Sequence, residues 1–225
     1  MIFSHVHLSY GERTVLKNIN LTIQRWEFIC IIGSSGSWKT SFIKSIIGAI
    51  HPKSWIIHNT LWYDIAKLSG WDMLTYRRSI GVIFQDFKLL PRKTVQENVA
   101  FAMEVSWYDT VTIHKRVIEV LTQVGLLTKK DKFIESLSGG ELQRTAIARA
   151  LIHHPDMIIA DEPTGNLDPK NAEEVIHLLQ KLNDEGKTII IATHDDRLVD
   201  RLRKRVIAFS DGYIISDLTP WTYCI

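Results

Sequence analysis

The chain has 225 residues, 45% of them hydrophobic, with 27 Lys and Arg against 25 Asp and Glu and two cysteines. That length holds one sizeable domain or a core with a small insertion, and the apolar content excludes a disordered chain. The even charge balance argues against nucleic acid as a partner, and Cys30 and Cys224, far apart and without metal-ligand spacing, suit a reducing compartment rather than a disulfide scaffold.

The longest apolar runs, such as 28–32 and 188–192, are far too short for a bilayer, and the N-terminus carries no signal-peptide pattern. A cytosolic protein is expected, with any membrane link made through a partner.

Residues 2–23 alternate apolar positions (Val6, Leu8, Val15, Leu16, Ile19, Leu21, Ile23) around a Tyr10-Gly11-Glu12 turn, which predicts a small antiparallel sheet. Tyr10 at its tip is either an ordinary turn tyrosine or an aromatic for stacking on a purine. The run 28–32 predicts a buried strand. After it come Gly33-Ser34-Ser35-Gly36-Ser37-Trp38-Lys39-Thr40-Ser41 and an apolar helical stretch over 42–50. Strand, glycine-rich turn, Lys-Thr and helix is the context of a phosphate-binding loop. Its backbone N–H groups cradle phosphates, Lys39 reaches the β and γ groups, and the Thr40 hydroxyl ligates magnesium. Trp38 breaks the pattern, which demands glycine there because the backbone must approach the phosphates closely.

Residues 51–79 suggest more of the accessory sheet, and 81–84 a core strand ending at Gln85, whose amide can contact both magnesium and an attacking water. Helical spacing over 95–105 and 111–124, with Gly125 as a C-terminal cap, predicts a helical insertion. Phe87, Leu89 and Leu90 beside it either pack inward or line a docking groove for a partner helix. In Leu137-Ser138-Gly139-Gly140-Glu141-Leu142-Gln143-Arg144, Ser138 as N-cap and Glu141 three residues on make a capping box. The two glycines leave that helix N-terminus bare of side chains, so it can approach a phosphate. The chain's own phosphate loop is already matched to its own acids, so the natural source of that nucleotide is a second protomer.

Met157-Ile158-Ile159-Ala160-Asp161-Glu162-Pro163 predicts a buried strand that delivers two carboxylates to its carboxyl end, where open α/β sheets bind ligands. Burying adjacent acids is costly unless a cation pairs with one. Asp161 is therefore assigned to magnesium and Glu162 to orienting or deprotonating water, the alternative being two solvated acids at a strand end. Asp168-Pro169 starts an amphipathic helix with Val175, Ile176, Leu179 and Leu182 inward, ending before Gly186. The strand at 188–193 ends at His194, which either senses a terminal phosphate or is structural. Arg201, Arg203, Lys204 and Arg205 suggest a solvated helix face, with a lipid surface as the alternative.

Gln85, the signature 137–144, the Asp161-Glu162 pair, Gly165-Asn166-Leu167-Asp168 and His194, in that order, make the chain resemble the nucleotide-binding subunits of ABC transporters over nearly its full length. The resemblance implies an α/β P-loop NTPase. A parallel-sheet core with an antiparallel accessory β-sheet would occupy about 1–85 and 156–225, and a helical subdomain about 86–155. It also implies ATP and Mg2+ as ligands and a homodimer that sandwiches two ATP molecules. Each ATP would be bound by the loop Gly33 to Ser41 of one copy and by Ser138, Gly139, Gly140 and Gln143 of the other, with Asp168 beside it. In that scheme Tyr10 stacks on adenine, Thr40, Gln85 and Asp161 hold the metal, Glu162 polarises water and His194 holds the γ-phosphate. Phe84 to Pro91 and Thr94 to Ala102 are similar to the FtsE family of bacterial cell-division ATPases. That branch implies an FtsX-like integral membrane partner and a place at the cytoplasmic face of the membrane, whereas its lipoprotein-release and macrolide-export relatives imply an exporter. The absence of tandem copies and of a coiled-coil insertion argues against DNA-repair and translation relatives.

Trp38 is one of seven tryptophans, with Trp26, Trp55, Trp62, Trp71, Trp107 and Trp221, all in turn-like contexts. Turns favour glycine for its access to positive φ, and tryptophan is about the least suitable substitute. One exchange repeated seven times points to a single cause: a gene in which UGA encodes glycine, translated under a code that reads UGA as tryptophan. Glycine at 38 would complete the phosphate loop. Tryptophan taken at face value makes the chain a catalytically silent scaffold.

Overall fold

The computed structural model describes residues 1–34, 36–50, 54–58 and 64–219, with backbone alone at 54–58 and 66. These fall into two compact units, Met1–Arg77 with Gly186–Ile225, and Arg78–Glu185. The chain begins with β1 (Ile2–Tyr10), β2 (Arg13–Thr22), β3 (Phe28–Ile32), α1 (Lys39–Ile46), β4 (Ser54–His58) and α2 (Gly70–Arg78). The second unit holds β5 (Ile80–Ile83), α3 (Val95–Glu104), α4 (Thr110–Gln123), α5 (Gly139–Leu151), β6 (Met157–Asp161) and α6 (Pro169–Asp184). The chain then returns to the first unit with β7 (Thr188–Ala192), α7 (Asp196–Leu202), β8 (Arg205–Ser210) and β9 (Tyr213–Leu218).

In the first unit β1 pairs antiparallel with β2 and with β4, which is the expected accessory sheet. Beside it β3 runs parallel to β7 and to β8, with Cys30 opposite Ile191 and Val206, and β9 closes antiparallel on β8. In the second unit β5 and β6 pair in parallel, Gly81 opposite Ile158. The unbroken apolar runs of β6 and β7 are buried at every position, and β3 at all but its last, as parallel strands covered on both faces require. Cys30 lies fully inside β3, and burial pushes its thiol up to about 12, so it is an inert core residue.

An aromatic column carries the first unit's core. Phe42 on α1 sits 5.0 Å from Phe3 on β1 and 5.1 Å from Phe209 on β8, all three buried. It therefore ties the helix that follows the phosphate loop to both sheets. Phe42→Ala is expected to cost about 3–5 kcal/mol, read as a lower urea midpoint at unchanged slope.

Three sequence expectations change. Within 51–79 the expected addition to the accessory sheet is β4 alone; after it the described residues form a 3-10 turn, Ile65–Lys67, and the helix α2. The task of α2 is to close α1: Tyr76 Oη donates to the Ile46 carbonyl (2.5 Å), and Arg77 donates to the carbonyls of Ile47 (3.1 Å) and Gly48 (2.9 Å). With Gly48 at φ +63, this ends α1 at Ile46 instead of residue 50. Arg205 is not on a solvated helix face. It opens β8 and donates to Asp217, Glu27 and the Thr22 carbonyl, contacts that hold its guanidinium charged.

The tryptophans divide. Trp26, Trp38 and Trp107 have φ of +66°, +74° and +62°, the left-handed region that favours glycine, and the Trp107 side chain is 89% exposed. Trp71 departs from the turn expectation, lying in the first turn of α2. Trp55 lies in β4, as the single residue between the pairs Ser4–Ile56 and His7–Ser54, where the β1 side carries one residue more. Trp62 and Trp221 lie outside the described residues.

Candidate nucleotide site

The phosphate loop leaves β3 through Gly33, where a Cβ would overlap the Phe209 carbonyl oxygen and lie 2.5 Å from Ser37 Oγ. Glycine is therefore the residue that fits. The Ser37 amide donates to the Ser34 carbonyl (3.1 Å), and Gly36, at φ +81, completes the turn. Lys39 is 8% exposed, and its ammonium donates to the carbonyls of Gly33 (2.5 Å) and Ser34 (3.3 Å), so its charge sits inside the loop. Trp38 is the N-cap of α1 in the left-handed region and makes no side-chain cap. Its indole lies under the Arg13 guanidinium, 4.8 Å from the ring centroid. Tyr10 ends β1 with its hydroxyl 3.4 Å from Ser41 Oγ. Ser37 Oγ is buried without a hydrogen-bond partner among the described residues, a polar atom that a phosphate oxygen would satisfy. Ser35 lies outside the described residues. In the same unit His194, exposed, follows β7, whose end is held to β3 by the Thr193 amide donating to the Ile31 carbonyl (3.0 Å).

The second unit carries the acids. Asp161 closes β6 and is 8% exposed; Glu162, half-buried, turns the chain at φ +50. A non-glycine residue held there costs about 1–3 kcal/mol, a strain that concentrates at functional sites. It aims Glu162 off the strand instead of letting it continue β6. A Cβ on Gly165 would lie 3.8 Å from Gln85 Nε2 and 3.8 Å from Glu162 Cβ, so Gln85, Glu162 and Gly165 share one place. Asn166 Nδ2 donates to the Gln85 carbonyl (3.2 Å), fixing the loop that leaves β5. Downstream of Gln85, Arg149 donates to the carbonyls of Phe87 (2.7 Å) and Lys88 (2.6 Å), and buried Asn98 holds Leu90 through both its amide atoms. Phe87, Leu89 and Leu90 are half-buried.

The metal donors assigned by sequence are a hydroxyl (Thr40), an amide oxygen (Gln85) and a carboxylate (Asp161). Thr40 lies in the first unit and Gln85 and Asp161 in the second, and each is a hard oxygen donor of the kind magnesium takes. Asp161 is buried at the end of β6.

The signature capping box forms as expected: Ser138 Oγ accepts from the Glu141 amide (3.3 Å), and Glu141 Oε2 accepts from the Ser138 amide (2.9 Å). These contacts hold the Glu141 carboxyl below its ordinary range. Gln143, the fifth residue of α5, is 1% exposed, with Nε2 unpartnered among the described residues. The Asp168 carboxylate is occupied as the cap of α6, accepting from the Lys170 and Asn171 amides (3.1 Å each) and from Asn171 Nδ2.

The protein-family model described as ABC transporter matches residues 16–165. The chain belongs to the ABC transporter ATP-binding family. It is 47% identical over 209 residues to the cell division ATP-binding protein FtsE of Bacillus subtilis, covering 92% of this chain and 91% of that protein. The FtsE of Streptococcus pneumoniae is 44% identical over 210 residues, with 93% and 91% covered. Among solved structures, the dimeric post-hydrolysis state of the ATP-binding cassette MJ0796 bound to ADP and Pi superposes with a TM-score of 0.85 at 33% identity, covering 99% of both chains. The α/β architecture expected from sequence is thus that of an ABC ATPase. Among the described residues no helix is long and apolar enough to cross a membrane.

Sequence reasoning missed Arg13 and Asn171, and picked out Asn166 only as a member of the 165–168 loop, without its contact to Gln85. Arg13 could have been sought next to Tyr10, on the far side of the same tight turn. The two asparagines act through loop closure, which has no periodic signature.

Proposed function

We propose that the chain is the ATP-hydrolysing subunit of a membrane-bound cell-division complex, working as a homodimer with an FtsX-like integral membrane partner at the cytoplasmic face. The observation that carries this reading is the pairing of the ABC signature and acid strand with 47% identity, over 92% of the chain, to an FtsE protein. The site roles are those that the family resemblance implies for these residues. Gly33 to Ser41 with Lys39 bind the phosphates, Tyr10 faces the base, and Ser138, Gly139 and Gly140 of the other copy close on the same ATP. Asp161, Thr40 and Gln85 hold Mg2+, which neutralises phosphate charge when bound. Glu162 takes a proton from the attacking water, and His194 steadies the γ-phosphate.

The activity belongs to a chain with glycine at 38. We infer that the natural protein carries glycine there and at the other tryptophan positions, a reading supported by the left-handed backbone at Trp26, Trp38 and Trp107. One sample tests both parts. The protein captured from detergent-solubilised native membranes is expected to bring down a single integral membrane protein, and peptide mass spectrometry over 32–44 is expected to read glycine at 38. An exporter-type partner would move the function to the lipoprotein-release or macrolide branch. Tryptophan at 38 would leave the silent scaffold.

A further inference from the structure

Both signature glycines abut one short segment. A Cβ on Gly139 would lie 3.5 Å from Leu167 Cδ2 and 3.6 Å from the Asn166 carbonyl oxygen. A Cβ on Gly140 would overlap Asn171 Oδ1 and Cγ and come within 3.0 Å of Asn171 Cβ. Gly140 is therefore bare on that side because the Asn171 side chain fills the space. Asn171 is itself fixed: its Nδ2 donates to Asp168 Oδ2 at 2.5 Å and its backbone N–H to Asp168 Oδ1 at 3.1 Å, a two-point clasp across the first turn of α6. The clasp holds the Asp168 carboxyl below its usual range and so charged. One turn further along, Arg144 on α5 and Glu174 on α6 close an ion pair at 2.7 Å. At the other end of the segment, Asn166 holds the Gln85 carbonyl.

We propose that Asn171 is a positioning residue for ATP turnover, which, clasped to Asp168, sets the place of the α5 N-terminal turn carrying Ser138, Gly139 and Gly140. This rests on the ATPase reading above. Asn171 touches no reacting atom. It acts because a helix N-terminus that must meet a phosphate of the other copy loses its effect when displaced by about an ångström. Within this chain α5 is located on that side by packing against Asn171.

The test uses the full chain with glycine at position 38, alone and with Asn171→Asp or Asn171→Ser. Asn171→Asp removes the donor and sets a second carboxylate against Asp168; Asn171→Ser keeps a short donor. Relative to the parent, Asn171→Asp is expected to lower kcat about tenfold while the Kd for ATP of the isolated monomer stays within about twofold, because the phosphate loop is elsewhere in the chain. Asn171→Ser is expected to recover at least about half of the lost rate. Hydrogen exchange at the amides of residues 139–142 is expected to rise in Asn171→Asp with little change in Tm. Unchanged kcat, or a loss equal in both variants and tracking Tm, would overturn the positioning role while leaving the ATPase reading intact. An inactive parent would overturn both.

Discussion

Trp38→Gly is expected to raise magnesium-dependent ATP hydrolysis about a hundredfold, with stability changed by no more than about 1 kcal/mol. The rate follows from the place of residue 38. It immediately precedes Lys39 and caps α1, with its indole beneath Arg13, and the proposed site brings the phosphates to the backbone there. Removing the indole opens that approach and frees the Arg13 guanidinium. For stability, three terms oppose one another. Relief of a left-handed L-residue returns about 1–2 kcal/mol. The extra chain entropy of glycine costs about 0.4–1 kcal/mol, and the lost exposed cation–π contact about 0.5–1 kcal/mol. They nearly cancel, so a gain in activity cannot be attributed to better folding. Steady-state phosphate release and thermal unfolding of both forms measure the two quantities. An active Trp38 chain, or a Trp38→Gly chain with no gain, would remove residue 38 as the obstacle.

Trp26 shows why this backbone argument was only half visible in the sequence. Its turn context before Glu27 suggested glycine, and φ +66 agrees; Trp71 looked equally turn-like yet begins a helix, because Gly70 beside it takes the positive φ instead. The core strands were legible since burial on both faces forces unbroken apolar runs, as in Ile158-Ile159-Ala160 and Ile189-Ile190-Ile191. Both asparagine clasps were hidden, because nothing in local pattern says which carbonyl or carboxylate an amide will meet. The α2 helix was hidden too. It buries only Met73 and Tyr76 and exists to cap α1, a tertiary task without amphipathic spacing. The β8–β9 hairpin was missed although it had a local mark: Asp211-Gly212, at φ +46 and +83, is the dipeptide that matches a two-residue turn to strand twist.

Glu162→Gln carries the other large effect, and it separates the two acids. In the chain with glycine at 38, hydrolysis is expected to fall about 10²–10⁴-fold, the range for loss of a general base, with ATP affinity kept, because the amide preserves the shape and φ of residue 162. Asp161→Asn removes the buried carboxylate assigned to the metal, and is expected to weaken magnesium-dependent ATP binding itself. The pair of variants thus predicts opposite behaviour in size-exclusion chromatography with ATP and magnesium. Glu162→Gln accumulates a dimer, since the nucleotide that joins the copies is bound and not consumed, and Asp161→Asn stays monomeric. Retained turnover in Glu162→Gln would transfer the proton from water to another group, of which exposed His194 is the first to replace. Because Glu162 is set at positive φ beside Gly165 and Gln85, its aim depends on that turn as much as on its charge. Gly165→Ala, whose added methyl meets both neighbours at van der Waals distance, should therefore leave the rate within about threefold of the parent.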